Sequence, residues 1–396
     1  MRASRFVAQL LLLVGLVQVN YLIYFNRQTI YKWWNQSADD RILVVPAPYG
    51  GEFCVAFNVT TNRKAFREDG LEPVSLAVHT TSQYINYVLE QVASWDGPIS
   101  LALFVDRRSQ KSIDFLYNVF KCDQVFAQKV SLHVVFRLSL FSQDCPSFKI
   151  TTIPCKKFTY KYMNTFVNRL VSPFMIYPIN TQRNVARLGA SSHFHLLSDI
   201  EMIFSDEFAI SAKKLANEKL CEDCRSVIVV RRFELDNKFK KVPKTIKELK
   251  EHIDNKTAFE YHHKLFPAGH TIAGLWHWFR MSKSLDSPKL WEIPYKGPAW
   301  EPQLIMHSSA PLSEENVATR FRDQQVLVYE MCRANFKFFL ATHLFNVHRG
   351  IKEKASPFDN AVYANQQKLK YRFQPLYLKR MNTMYNASKR CGKFVM

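Results

Sequence analysis

The chain alternates short apolar runs with amphipathic stretches over most of its length. An uncharged, almost wholly apolar run occupies residues 6–25, interrupted by Gln9, Gln18 and Asn20. Periodicity is then lost as far as residue 71, and Pro46-Ala47-Pro48-Tyr49-Gly50-Gly51 marks a turn-rich passage. From residue 72 the pattern is regular. Val74 to Val78 reads as a buried strand running into His79-Thr80-Thr81. A helical stretch leads to Trp95, and Gly97-Pro98 separates it from a strand over residues 99–105. A helix over 113–120 and a strand over 132–137 repeat the unit. Further on come a polar, helix-compatible segment over 180–191, the apolar run Phe194-His195-Leu196-Leu197 and the run Val227-Ile228-Val229-Val230. Such alternation implies an α/β fold, a mostly parallel sheet with helices on both faces.

The first candidate chemistry lies where one of these runs stops. Ser198-Asp199-Ile200-Glu201 follows the strand of residues 194–197, and ligands of open α/β sheets collect beyond the carboxyl ends of strands. Two carboxylates two residues apart on an extended segment share a side. Hard oxygen donors on a rigid strand end suit Mg²⁺ or Mn²⁺ bridging a diphosphate, although a solvated loop reads the same way.

Charge and cysteine content add context. The formal charge of +20 favours anionic partners: nucleotide-sugar phosphates, acidic glycans or membrane headgroups. No zinc-finger or RNA-recognition signature accompanies it, so nucleic acid is not indicated. Residues 6–25 are long enough to cross a bilayer and are followed by no clear cleavage site, which favours an uncleaved signal anchor. Arg2 and Arg5 precede the run, while Arg27 and Lys32 follow it. The organisation expected is a cytoplasmic tail at 1–5, an anchor at 6–25, a lumenal stem at 26–71 and a catalytic domain at 72–396. Sequons at Asn35, Asn58, Asn255 and Asn386 fit a lumenal chain. Eight cysteines suggest disulfides of unknown connectivity, while Cys221-x-x-Cys224 also reads as half of a zinc site.

Several motifs together resemble glycosyltransferase family 49. They are Tyr177-Pro178-x-Asn180-x-x-Arg183-Asn184-x-Ala186 ahead of Asp199-x-Glu201, the opening Val74-Ser-Leu-Ala-Val-His-Thr-Thr, and Trp95-x-Gly-Pro-Ile-Ser. Trp300-Glu301-Pro302, Leu312-Ser-Glu-Glu-Asn, Phe345-Asn-Val-His348-Arg-Gly350 and Asn365-x-x-Lys368-x-x-Tyr371-Arg372 extend the resemblance over residues 72–391. Two departures stand out. Glu201 replaces the usual Asp, and Thr319, Asp323 and Gln324 replace the Gly and Asn-Lys/Arg positions.

The resemblance implies a GT-A type fold and an inverting transferase of the Golgi lumen, held as a single-pass type II membrane protein. It implies a UDP-sugar donor, with glucuronate the first candidate and UDP-GlcNAc or another UDP-sugar as alternatives. The acceptor would be a xylose- or galactose-ended glycan or glycoprotein. Asp199, Glu201 and His348 would hold Mn²⁺ against the diphosphate. Thr80, Thr81, Asn180, Arg183 and Asn184 would contribute to the donor site, and Gly350 and Lys352 would close over the phosphates. Glu314 and Glu315 stand where the general base is expected. The aromatic stretch of residues 261–280 is the candidate acceptor surface, or else a core segment. A second reading, from the two departures, is a weakened homologue that binds glycans or escorts a partner glycosyltransferase.

Overall fold

The computed structural model describes residues 41–138, 144–173 and 176–395. The run at 6–25 and the sequon at Asn35 lie outside the described residues. Strand β1 (Phe53–Thr60) is followed by β2 (Val74–Thr81), α1 (Ile85–Ser94), β3 (Ile99–Phe104), α2 (Lys111–Cys122) and β4 (Val130–Arg137). Then come α3 (Ile179–Leu188), β5 (Phe194–Asp199), α4 (Phe208–Lys219) and β6 (Ser226–Leu235). The chain closes with β7 (Gln303–His307), α5 (Gln325–Arg333), β8 (Lys337–Arg349) and α6 (Pro357–Met384).

The regular alternation is found where the apolar runs predict it, because a parallel strand covered on both faces is apolar at almost every position. Strands β2 and β3 are buried along nearly their whole length. Val74, Leu76 and Val78 point to the face covered by α1, α2 and α4, while Ala77 points to the face covered by α3 and α5. Truncating one of these aliphatic side chains to alanine costs about 2–5 kcal/mol.

Two expectations are corrected. The sheet is mixed rather than mostly parallel. Its order is β8-β6-β7-β5-β2-β3-β4-β1, and β8–β6, β5–β2, β2–β3 and β3–β4 are parallel. Strand β7 lies antiparallel between β6 and β5, joining two parallel blocks that run the same way. The stem also ends earlier than residue 72. Strand β1 pairs antiparallel with β4, and Cys54 within it is bonded to Cys145. Its register shifts between Ala56 and Thr60, and Asn58 sits at φ 53°. That bulge breaks the two-residue period and hides the strand from a pattern reading.

The remaining cysteines also pair: Cys122–Cys155, Cys221–Cys224 and Cys332–Cys391. The half zinc site is thus a disulfide. Cys332–Cys391 ties α5 to the chain beyond α6, beside the buried Phe373, Tyr377 and Met381. Ser356 and Asp359 form a reciprocal capping box at the start of α6, with Pro357 at its first turn.

Candidate active site

Topology gathers the polar residues at one edge of the sheet. The carboxyl ends of β2, β5, β6 and β8 face the same way, with His79 opposite Asp199 and Glu234 opposite His348 in register. Because β7 runs in reverse, its amino end enters at this edge and brings Trp300-Glu301-Pro302 with it. A crevice beyond the carboxyl ends of the strands is the expected ligand site of such sheets.

Asp199 and Glu201 are there, as the strand-end reading predicts. Asp199 Oδ2 accepts from Arg232 Nη2 at 2.8 Å. Burial alone would raise the Asp199 pKa, but Arg232, Arg183 and His79 hold it well below the usual carboxylate range. Arg232 also lies 4.0 Å above the Tyr261 ring, a cation–π contact that fixes its plane. It comes from β6, and nothing in a linear reading ties it to Asp199.

His348 also reaches the acidic pair. Its Nε2 lies 3.4 Å from Glu201 Oε1, and its Nδ1 donates to the Gly350 carbonyl at 3.1 Å. A carbonyl can only accept, so the neutral ring carries its hydrogen on Nδ1 and turns the Nε2 lone pair towards Glu201. Metal-ligating histidines are oriented in this way. A proton can fill the same gap. Burial disfavours it, yet the Glu201 carboxylate outweighs burial and raises the His348 pKa.

Glu201 and His348 therefore fit a divalent cation as a pair of donors. Asp199 can add only the oxygen that Arg232 leaves. Among the described residues no three His, Cys, Asp or Glu side chains are gathered tightly enough to hold a cation.

Other polar atoms at this edge lack partners. His79 Nε2, Thr81 Oγ1 and Arg232 Nε are buried without a hydrogen bond, and Thr80 donates to the Thr81 carbonyl. Unpaired buried polar atoms are costly, which suits a surface that a ligand completes. Tyr177 shares a 2.8 Å hydrogen bond with His79 Nδ1. Burial lowers the His79 pKa to about 4, so its ring is neutral near pH 7.

The expected general bases have other work. Glu315 accepts from Tyr49 Oη (2.7 Å), Asn184 Nδ2 (2.6 Å) and Thr181 Oγ1 (3.1 Å). Glu314 pairs with Arg380 of α6 and accepts from Asn316. Three donors from separate parts of the chain hold the Glu315 carboxylate in place as a structural anchor.

The donor-site expectations at α3 change similarly. Asn180 Nδ2 donates to the Glu314 and Asp323 carbonyls, and Asn184 exchanges hydrogen bonds with the Ser313 backbone. Arg183 pairs with Asp323 at 2.8 Å. Together they clamp residues 313–323 onto the sheet, so a polar helix is buried by its hydrogen bonds. Lys352 is held by Asp359 at 3.0 Å. Gly350 sits at φ +96°, and a Cβ there would meet Asn237 Oδ1 at 3.1 Å. This left-handed turn needs glycine to bring its carbonyl to His348.

The aromatic stretch divides in two. Trp278 and Phe279 are core, whereas Tyr261, His262 and His270 wall the site beside His348. Trp276 is 56% exposed. Glu301, which the motif reading used only as part of Trp300-Glu301-Pro302, also stands at this edge. Burial, then Asp323, pushes its pKa up to about 7, while Arg183 and Arg232 pull the other way. Its signal in the sequence was a lone carboxylate between a Trp and a Pro.

Known proteins are similar to this chain along most of its length. Beta-1,4-glucuronyltransferase 1 of Danio rerio is 23% identical over 311 residues, covering 74% of this chain and 70% of the relative. The Homo sapiens protein of the same name is 20% identical over 338 residues, covering 80% and 77%. Among solved structures, GalNAc-T7 with UDP, GalNAc and Mn²⁺ overlaps 80% of this chain and 55% of its own at 8% identity. Its TM-score is 0.41, too loose a likeness to build on. The profile of the family described as "Glycosyl-transferase for dystroglycan" matches residues 73–386. The chain belongs to this glycosyltransferase family.

Proposed function

We propose that the chain transfers a sugar, with glucuronate the first candidate, from a UDP-sugar to a glycan acceptor in one inverting displacement on a GT-A type fold. The observation that carries this reading is the meeting of Asp199, Glu201 and His348 at one sheet edge, beside unpartnered His79 Nε2 and Thr81 Oγ1. The name shared by the relatives supports glucuronate. A bound divalent cation would be held by the Glu201–His348 pair, with the remaining Asp199 oxygen turning in to join them, and would neutralise the departing diphosphate. The chain's own residues orient the rest. Gly350 fixes the His348 tautomer, Arg232 keeps Asp199 ionised, and His262, stacked on Tyr261, offers an aromatic face to sugar C–H surfaces.

The reading includes an uncleaved anchor at 6–25 and a Golgi-lumenal catalytic part. Four disulfides favour an oxidising compartment, and the sequons at Asn58, Asn255 and Asn386 are exposed. A glycan-binding or escort role for a weakened homologue is favoured by one observation, the hold of Arg232 on Asp199.

The deciding experiment incubates the full-length protein with Mn²⁺, a panel of UDP-sugars and xyloside or galactoside acceptors, and measures UDP release. UDP-glucuronate is expected to give the fastest release, and Asp199→Asn to abolish it. No release from any donor, with glycan binding retained, would favour the second reading.

A further inference from the structure

The carboxylates at the site edge are committed, with one exception. Asp199 pairs with Arg232, Asp323 with Arg183, and Glu201 faces His348. Glu234 accepts from His263 and from the Lys352 amide, Glu314 pairs with Arg380, and Glu315 accepts three hydrogen bonds. Among the described residues, the one side chain recorded against the Glu301 carboxylate is His270, with Nε2 at 3.4 Å. His270 Nδ1 faces the Glu301 carbonyl at 3.2 Å, so the ring hydrogen sits there and the Nε2 lone pair points at the carboxylate. Burial holds the His270 pKa far below the ordinary imidazole value, so the ring stays neutral.

We propose that Glu301 is the general base that takes the proton from the acceptor hydroxyl, with His270 as its positioning residue. The assignment rests on the UDP-sugar reading above. Three observations converge on it. Glu301 stands two residues before β7, on the segment that leads into this reversed strand at the site edge. Its side chain is 22% exposed, so a hydroxyl can reach it. Among the described residues no Arg or Lys forms an ion pair with it, and burial outweighs the more distant pull of Arg183 and Arg232 to bring its proton affinity near neutrality.

The step balances. The acceptor oxygen forms a bond to the anomeric carbon as its proton passes to Glu301. The bond from the anomeric carbon to the β-phosphate oxygen breaks, and its electron pair leaves with UDP. Nothing is oxidised or reduced, and the proton then passes from Glu301 to solvent.

The test uses the full-length protein with Mn²⁺ and the best UDP-sugar and acceptor pair. Glu301→Gln is expected to lower kcat by about 10²–10⁴-fold, the usual contribution of general-base catalysis, while UDP affinity holds and Tm does not fall. Glu301→Asp should recover part of the rate. His270→Gln should lose less rate but move the acidic limb of the kcat–pH profile, which a purely structural role would leave in place. Retention of kcat by Glu301→Gln within about threefold, far short of a general-base effect, overturns the assignment. Loss of UDP binding and Tm together with activity in both Glu301 variants also overturns it. Failure of the wild type to release UDP from any donor removes the donor reading and this assignment together. Turnover by wild type and Glu301→Gln alike removes the base alone.

Discussion

Arg232 donates to Asp199 Oδ2 at 2.8 Å, so the first carboxylate of the acidic pair already has a protein cation on one of its oxygens. A guanidinium beside a carboxylate repels a second cation arriving at the same group. Arg232→Gln is therefore expected to tighten Mn²⁺ binding about tenfold, by removing like charge near the ligand set. Calorimetric titration of Mn²⁺ into both proteins checks this, and equal affinities would mean that Asp199 does not contribute to metal binding.

His348 faces Glu201 rather than the core, with its tautomer set by Gly350. His348→Ala should weaken Mn²⁺ and UDP binding together, each by about tenfold or more, with little change in Tm. Thermal melts alongside UDP titration, with and without Mn²⁺, separate this from a packing role. A packing residue would lower Tm and leave metal-dependent UDP binding in place.

Glu315 anchors Tyr49, Thr181 and Asn184, three donors from separate parts of the chain. Glu315→Ala leaves all three without their acceptor and should cost about 1–3 kcal/mol of stability. The folded fraction should keep its kcat. A normal denaturation midpoint with lost turnover would return Glu315 to the list of bases.

Glu301 makes stability depend on pH. Its pKa is 4.5 without the protein environment and about 7 in the folded chain. Between these values the native state keeps a proton that the unfolded chain has released. Stability then falls as pH rises from 4.5 to 7 and levels off above, by on the order of 3 kcal/mol. Glu301→Gln should remove that slope, so its stability relative to the wild type improves from pH 5 to pH 8. Denaturant melts at the two pH values measure it, and parallel profiles would count against a raised Glu301 pKa.

The proposed topology has a direct check as well. The mature protein should retain residues 6–25 and carry glycan on at least one of Asn58, Asn255 and Asn386, all exposed. Amino-terminal sequencing and a glycosidase mobility shift read both. A mature terminus beyond residue 25, or no shift at all, would remove the type II anchor.

Much of the central fold was legible in the residues. Val74 to Val78, Ile99 to Phe104 and Phe194 to Leu197 are apolar nearly throughout because helices cover both faces of a parallel strand. That local rule also put Asp199 at a strand end, where the structure has it. Strand β1 escaped because a bulge at Asn58 interrupts its period, and Tyr49 then proved to touch Glu315 from a stretch that reads as turns. Strand order was beyond any local pattern. Only the reversed insertion of β7 between β6 and β5 delivers Glu301 to the edge, and only the adjacency of the two parallel blocks pairs Arg232 with Asp199. Periodicity records whether a position is buried. Which charges meet is decided by long-range register and loop closure, and those contacts exist only once the sheet has assembled.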